Sequence, residues 1–205
     1  MNSENPFGRI ISANSRECVV AYRTAEQEIP RFGSMVRIPV SAAQDFRIYG
    51  LVTDVQIEED GFLRQLAAAE EIPEEVLMDN RTNRNVPIVL RVLFIGYADE
   101  NGISHLLPPS PPLSLSSIFR CDSTETARFT AHGNFGYFRH MLRAVNVPAA
   151  ELFAVHIRLA SIAQNAKHNE GWTKAAVEEL ITLLRDDYAG LTAILGALGD
   201  ADISF

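Results

Sequence analysis

The sequence predicts an α+β chain. A mainly β N-terminal half forms a small closed or partly open barrel, and an all-α C-terminal half forms a bundle of three to four helices. Three observations predict this. Short β-branched runs alternate with turn signals from Gly8 to about Leu107. The proline-rich stretch "LPPSPPLSLSS", Leu107 to Ser117, then imposes an extended path with no ladder partners. Beyond it, apolar residues recur at spacings of three and four. The expected boundaries are a barrel over 1–107 with a helical excursion at about 61–85, a strap over 108–117 and a helical region over 118–205.

In chain order, "GRIISA" and "ECVVAYRT" predict two strands joined across the turn "NSR". "RFGSMVRIPV" predicts a glycine turn into a third strand. Pro39 cannot donate to a ladder, so that strand ends there or lies at an edge. "DFRIYGLVTDVQIEED" is the longest candidate. Tyr49, Leu51, Thr53, Val55 and Ile57 share one face, and Phe46, Ile48, Gly50 and Val52 share the other. Both faces are mostly apolar at the centre, which suits a strand curled within a barrel or pressed by a second layer. Gly50 marks a sharp bend or the close approach of another backbone. Asp54 is expected past the barrel's edge. "NVPIVLRVLFIGYAD" repeats the pattern with Gly96 near its end, and "DENG" turns into a final short strand, "ISHLL".

Between the two long strands, Leu63, Leu66 and Ala67 suggest a helical turn or two. Pro73, with Glu74 and Glu75 in a first turn, suggests another. The tip "DNRTNRN" is polar. After the strap, "FGYFRHMLRA" predicts a helix through Phe135, Phe138 and Leu142. Asn146 and Pro148 mark the start of the next, striped by Leu152, Val155, Leu159 and Ile162. Val177, Leu180, Leu184, Tyr188, Leu191, Leu195 and Leu198 continue the pattern, with a break or bend at Gly190. These stripes can pack on one another or on the barrel. The tail "GDADISF" is expected to be loose unless Ile203 and Phe205 dock.

Composition narrows the chemistry. A net charge of −8 gives the whole chain no electrostatic attraction to nucleic acid or anionic lipid. Lys167 and Lys174 are the only lysines, and neither follows a glycine loop, so no phosphate loop of an ATP motor is present. His105, His132, His140, His156 and His168 have no metal-ligand spacing, and His156 reads as a hydrogen-bonded packing residue on an apolar stripe. Cys18 and Cys121 read as isolated, reduced thiols. The acids at Glu58–Asp60, Glu178–Glu179 and Asp186–Asp187 read as a strand end and solvated helix faces. No catalytic, cofactor-binding or metal-ligating residue is assigned. The start of the chain lacks the regions of a secretory signal, and Arg91 interrupts the longest apolar run, so a soluble cytoplasmic protein is expected.

Two sets of residues remain as interaction candidates. Arg81 and Arg84 lie in the polar "DNRTNRN" tip. The segment "FRCDSTETARFTAHGNFGYFRHMLR" interleaves Phe135 and Phe138 with Arg128 and Arg139. Such a mixture can stack bases and neutralise phosphates. It equally describes a joint that packs helices on a barrel while its arginines reach outward, and this is the preferred reading.

The opening Gly8-Arg9-Ile10-Ile11, the turn Phe32-Gly33-Ser34-Met35-Val36 and the run Ile48-Tyr49-Gly50-Leu51-Val52 give the first half a resemblance to the HAS-barrel. That small domain is shared by HerA-type ATPases and ATP synthase catalytic subunits. "LLPPSPPLS" looks like the strap that leads from such barrels into the motor. Here fewer than a hundred residues follow, and they are helical, so the family's nucleotide-binding residues have no positions to be carried onto. The resemblance implies a barrel kept as an oligomerisation or docking platform, accessory to an ATPase or DNA-processing machine, with protein partners or self-association. The alternatives are a nucleic-acid-binding module using the arginine–aromatic surface, and an enzyme built from His132, His140 and nearby acids at the barrel–helix joint.

Overall fold

The computed structural model describes residues 5–23, 30–41, 45–57, 68, 72–75 and 87–203. The helical excursion expected at 61–85 lies, apart from residues 68 and 72–75, outside them. So do Arg81, Arg84 and Phe205.

Six antiparallel strands close a barrel: β1 (Gly8–Ala13), β2 (Glu17–Arg23), β3 (Met35–Ser41), β4 (Phe46–Ile57), β5 (Pro87–Asp99) and, after the short β6 (Gly102–Ser104), β7 (Ser117–Arg120). The order β2-β1-β7-β3-β4-β5 is closed by β2 pairing with β5, and β6 extends β5 at one end. Closure leaves the ladder few open edges. The turns are built as their residues dictate. Asn14 Oδ1 accepts the Arg16 and Glu17 amides at 2.7 and 3.1 Å, and Asp99 Oδ1 accepts that of Asn101 at 2.8 Å. Gly33, at φ +77°, turns the chain into β3; a Cβ there would lie 2.7 Å from Val155 Cγ1.

The barrel extends further along the chain than its strand signals predict. The expected boundary at residue 118 is corrected: the proline strap does not lead out of the barrel but delivers β7 between β1 and β3. The strap is stitched down on the way, with Leu115 N–H donating to Ile10 O at 2.7 Å and Ile10 N–H to Ser116 O at 3.1 Å. The strand expected at "ISHLL" is only β6, because the chain leaves the ladder after Ser104. β7 meets β3 at Val36 and Arg37, and among the described residues no strand continues that ladder to exposed Pro39.

Ile10, Val20, Val36, Ile38, Ile48, Val52, Leu90, Val92 and Phe94 fill the barrel's interior. A second core lies outside the wall. Met35, Tyr49, Leu51, Leu93 and Ile95 face helices α1 (Ser123–Ala131), α2 (Phe138–Leu142), α3 (Ala149–Asn165), α4 (Trp172–Leu183) and α5 (Tyr188–Asp200). The two apolar faces expected of β4 are both used, one by the interior and one by the helical layer. Val55 and Ile57 run past the cover and are exposed. A register shift between Val52 and Asp54 turns Asp54 out to pair loosely with Arg91 at 3.9 Å, while Thr53 is buried.

The helices correct several expectations. The segment 123–131, not expected as a helix, is α1, opened by a capping box in which Asp122 Oδ1 accepts Glu125 N–H at 2.7 Å. The helix expected over "FGYFRHMLRA" is shorter, because Phe135 adopts φ +50° in the preceding turn. On α3 the stripe through Leu159 and Ile162 is exposed, and Phe153, His156, Ile157, Ala160 and Gln164 are buried instead. The break between α4 and α5 falls at Leu184–Asp187, not at Gly190; Asp187 caps α5 by accepting Gly190 N–H at 3.0 Å. Tyr188 is exposed, while Ile203 of the tail packs against the helical core.

A polar lattice ties the helices together. Gln164 Nε2 donates to Ala127 O and Thr130 Oγ1 at 2.8 and 2.7 Å, and Trp172 Nε1–H donates to Thr130 O at 3.0 Å. The last carbonyls of α1 therefore find donors on α3 and α4.

Gly96 sets the contact between the wall and α1. It lies opposite Tyr49, and a Cβ there would come 2.4 Å from Ser104 O and 2.9 Å from Phe129 Cζ. Gly96→Ala is expected to lower unfolding free energy by about 1–3 kcal/mol, the usual cost of an overpacked core, read as a lower urea midpoint. An unchanged midpoint would show that this contact is not tight.

Candidate functional site

The chemistry-bearing side chains gather in two places: the joint between barrel and helices, and a groove beside it.

At the joint, Tyr137 and Phe138 at the start of α2 are fully buried with Phe129 of α1, and Tyr49 of the barrel wall stacks on Phe129 at a centroid distance of 4.8 Å. Phe135 is half-buried against Phe138 and Trp172, at 5.2 and 5.6 Å. Of the sequence-predicted interaction residues, Phe135 and Phe138 are therefore spent on packing. Arg139 reaches the His105 carbonyl, which also accepts His140 Nε2–H at 2.8 Å. Among the described members of that set only Arg128 stays exposed; its guanidinium donates to Tyr49 OH at 3.4 Å.

Four histidines meet at this joint. His105 Nε2 donates to Phe129 O at 3.3 Å, and its ring meets His132 edge-on at 5.8 Å. Burial pushes its pKa down to about 4, with His132, Arg139 and His140 adding cationic repulsion. Burial lowers His140 as well, helped by Arg139 and Arg143. His156, 1% exposed, contacts Tyr137 OH through Nε2 at 3.1 Å, and among the described residues no group meets its Nδ1 in good hydrogen-bond geometry, the Gly33 backbone coming near it only weakly. Burial pushes its pKa to about 4, weakly opposed by the Gly33 backbone.

An acid–base site here would need a carboxylate to orient or charge an imidazole. Among the described residues, the charged groups acting on His105 and His140 are all cationic. The rings are held neutral by burial and act as packing groups with one polar tip. Among the described residues no cluster of three or more His, Cys, Asp or Glu can hold a metal ion. Burial also raises both thiols, Cys18 to about 12 and Cys121 well above its ordinary value, and the two are unbonded. A raised thiol pKa disfavours the nucleophilic thiolate.

Beside the joint, an open groove of about 320 Å³ is lined by Arg37, Arg47, Asp122, Thr124, Glu125 and Arg128. Glu125 Oε2 accepts Arg37 Nε–H at 3.0 Å, and Glu125 Oε1 lies 3.9 Å from Arg47 Nη1. Arg47 also pairs with Asp45, and the Arg37 guanidinium sits 4.9 Å from the Phe119 ring centroid. Arg37 and Arg47 did not stand out in the sequence, because 10 positions separate them from each other and 78 or more from Glu125 and Arg128.

No protein-family model and no curated protein sequence matches the chain. No helix among the described residues is long and apolar enough to cross a membrane.

The buried histidines give a pH dependence. The folded pKa of His156 lies below its ordinary 6.5, so its contribution is complete above pH 6.5 and is lost as pH falls towards 4. The loss is expected to reach roughly 3 kcal/mol for this residue. Urea midpoints measured from pH 7 to 4 should fall, and His156→Gln should flatten the fall. An equally steep fall in that variant would contradict the assignment.

Proposed function

We propose that this chain is a non-enzymatic oligomerisation or partner-docking protein, built on a barrel similar to the HAS-barrel and capped by its helices. We place it in the cytoplasm, as an accessory to an ATPase or DNA-processing machine. One observation carries the reading: the buried histidines and aromatics are accounted for by packing, while three of the large apolar residues left in solvent lie on β1 and on the strap that runs beside it. Ile11, Leu113 and Leu115 are 49%, 76% and 70% exposed. The Leu115–Ile10 hydrogen bond places the strap alongside β1. Leu115 holds φ +66°, a left-handed conformation unfavourable for a branched side chain. An exposed apolar patch beside a strained backbone position supports a protein–protein contact there.

The nucleic-acid reading draws less support. Phe135 and Phe138 are engaged in the joint and Arg139 in a backbone contact, so of these four residues Arg128 alone stays exposed, while Arg81 and Arg84 lie outside the described residues. The enzyme reading requires acids that do not act on its histidines.

Light scattering on the purified chain and affinity capture from its native lysate test the proposal together. The expected result is a mass at a multiple of 22.7 kDa, or a stoichiometric protein partner, lost in Leu113→Ser/Leu115→Ser with the melting temperature kept. A monomer at all concentrations with no stoichiometric partner would overturn it.

A further inference from the structure

We propose that the groove between β3, β4 and the first turn of α1 binds a phosphate-type oxyanion carried by a small molecule, with Arg128 as its principal ligand. The inference goes beyond the docking role and rests on different residues.

The count of charges and donors supports it. Three guanidinium groups, on β3, β4 and α1, converge on a groove with two lining carboxylates. Both carboxylates are engaged. Asp122 Oδ1 accepts the Glu125 amide at 2.7 Å. Glu125 accepts from Arg37 at 3.0 Å and from the Asp122 amide at 3.3 Å. Arg47 draws on Asp45 as well as Glu125. Arg128 is left with the neutral Tyr49 phenol at 3.4 Å, a long contact for a guanidinium, and has no carboxylate within ion-pair range among the described residues. Tyr49 is fully buried and Arg128 is exposed, so the Tyr49 hydroxyl engages the guanidinium from the barrel side.

Arginine donors in a fixed fork match the oxygens of a phosphate, which takes bidentate hydrogen bonds. The exposed Thr124 on the same groove wall adds a hydroxyl donor at the second position of α1. Arg37 and Arg47, side chains 26% and 25% exposed and fixed by Glu125, supply positive charge without having to move. About 320 Å³ lies at the small end of ligand pockets. It suits one phosphate with a modest attached group. A nucleic-acid strand would need a longer basic track, which a chain of net charge −8 does not offer.

The test is calorimetric titration of the full chain with inorganic phosphate and with chloride at one fixed ionic strength, repeated for Arg128→Gln, Thr124→Ala and the exposed control Arg158→Gln. Circular dichroism checks that each variant is folded. Saturable phosphate binding is expected, absent with chloride, weakened at least tenfold by Arg128→Gln, less by Thr124→Ala, and unchanged by Arg158→Gln. No saturation in the wild type, or equal binding by folded Arg128→Gln, would overturn the proposal. So would a single-stranded oligonucleotide that binds more tightly than phosphate and loses affinity steeply with salt. Because Leu113 and Leu115 play no part in the groove, Leu113→Ser/Leu115→Ser should bind phosphate normally, which separates failure here from failure of the docking role.

Discussion

The pairing of β4 with β5 is the constraint on which the rest of the structure depends. These two strands are apolar on both faces. One face lines the barrel with Ile48, Val52, Val92 and Phe94, and the other presents Tyr49, Leu51, Leu93 and Ile95. A closed barrel satisfies the first face and most of the ladder, but it leaves the second in water. Fully burying a side chain of this size is worth about 1.5–3 kcal/mol, so the outer face strongly favours a covering layer. The helices supply it, and for that reason the C-terminal region packs as a layer on the barrel wall. The glycines serve the same constraint. Gly50 lets the strands close tightly around Val92, and Gly96 lets Phe129 seat against Tyr49.

Once aromatic rings form the joint, the polar groups near it must be satisfied locally. His105 gives its ring to Phe129 O and its carbonyl to Arg139 and His140. Tyr137 meets His156, and Gln164 and Trp172 take up the end of α1. The residues that look most chemical in the sequence are thereby consumed in holding one layer on another. The same geometry leaves its surplus at the rim. Arg128 reaches past the joint to the groove, and the strap, after feeding β7 into the barrel, leaves Leu113 and Leu115 in solvent.

The legible parts of the sequence were those with strong local signals. The two-faced β4, the "NSR" and "DENG" turns, the turn at Gly33 and the bend or close approach at Gly50 all follow from short patterns, whereas the tight contact at Gly96 does not. β7 did not, because four residues beyond a proline strap carry too little alternation to register. α1 was hidden because Ala127 and Phe129 are its only buried apolar residues, although the D-x-x-E of its capping box was present at Asp122 and Glu125. On α3, scoring Leu, Val and Ile rotated the stripe away from the true face, where Ala160, Ala163, His156 and Gln164 are buried. A small or hydrogen-bonded residue contributes little to such a score. The groove was not legible at all, since Arg37, Arg47 and Arg128 meet only through the closure of the barrel and the docking of α1.

Native-state hydrogen exchange on the full chain tests most directly whether the barrel wall and helices are one unit. The account predicts that the most protected amides of β4, β5 and α3 exchange with the same opening free energy and shift together with denaturant. Helices that exchange at far lower energy while the barrel amides stay protected would contradict it, because the outer face of the wall would then be stable without its cover.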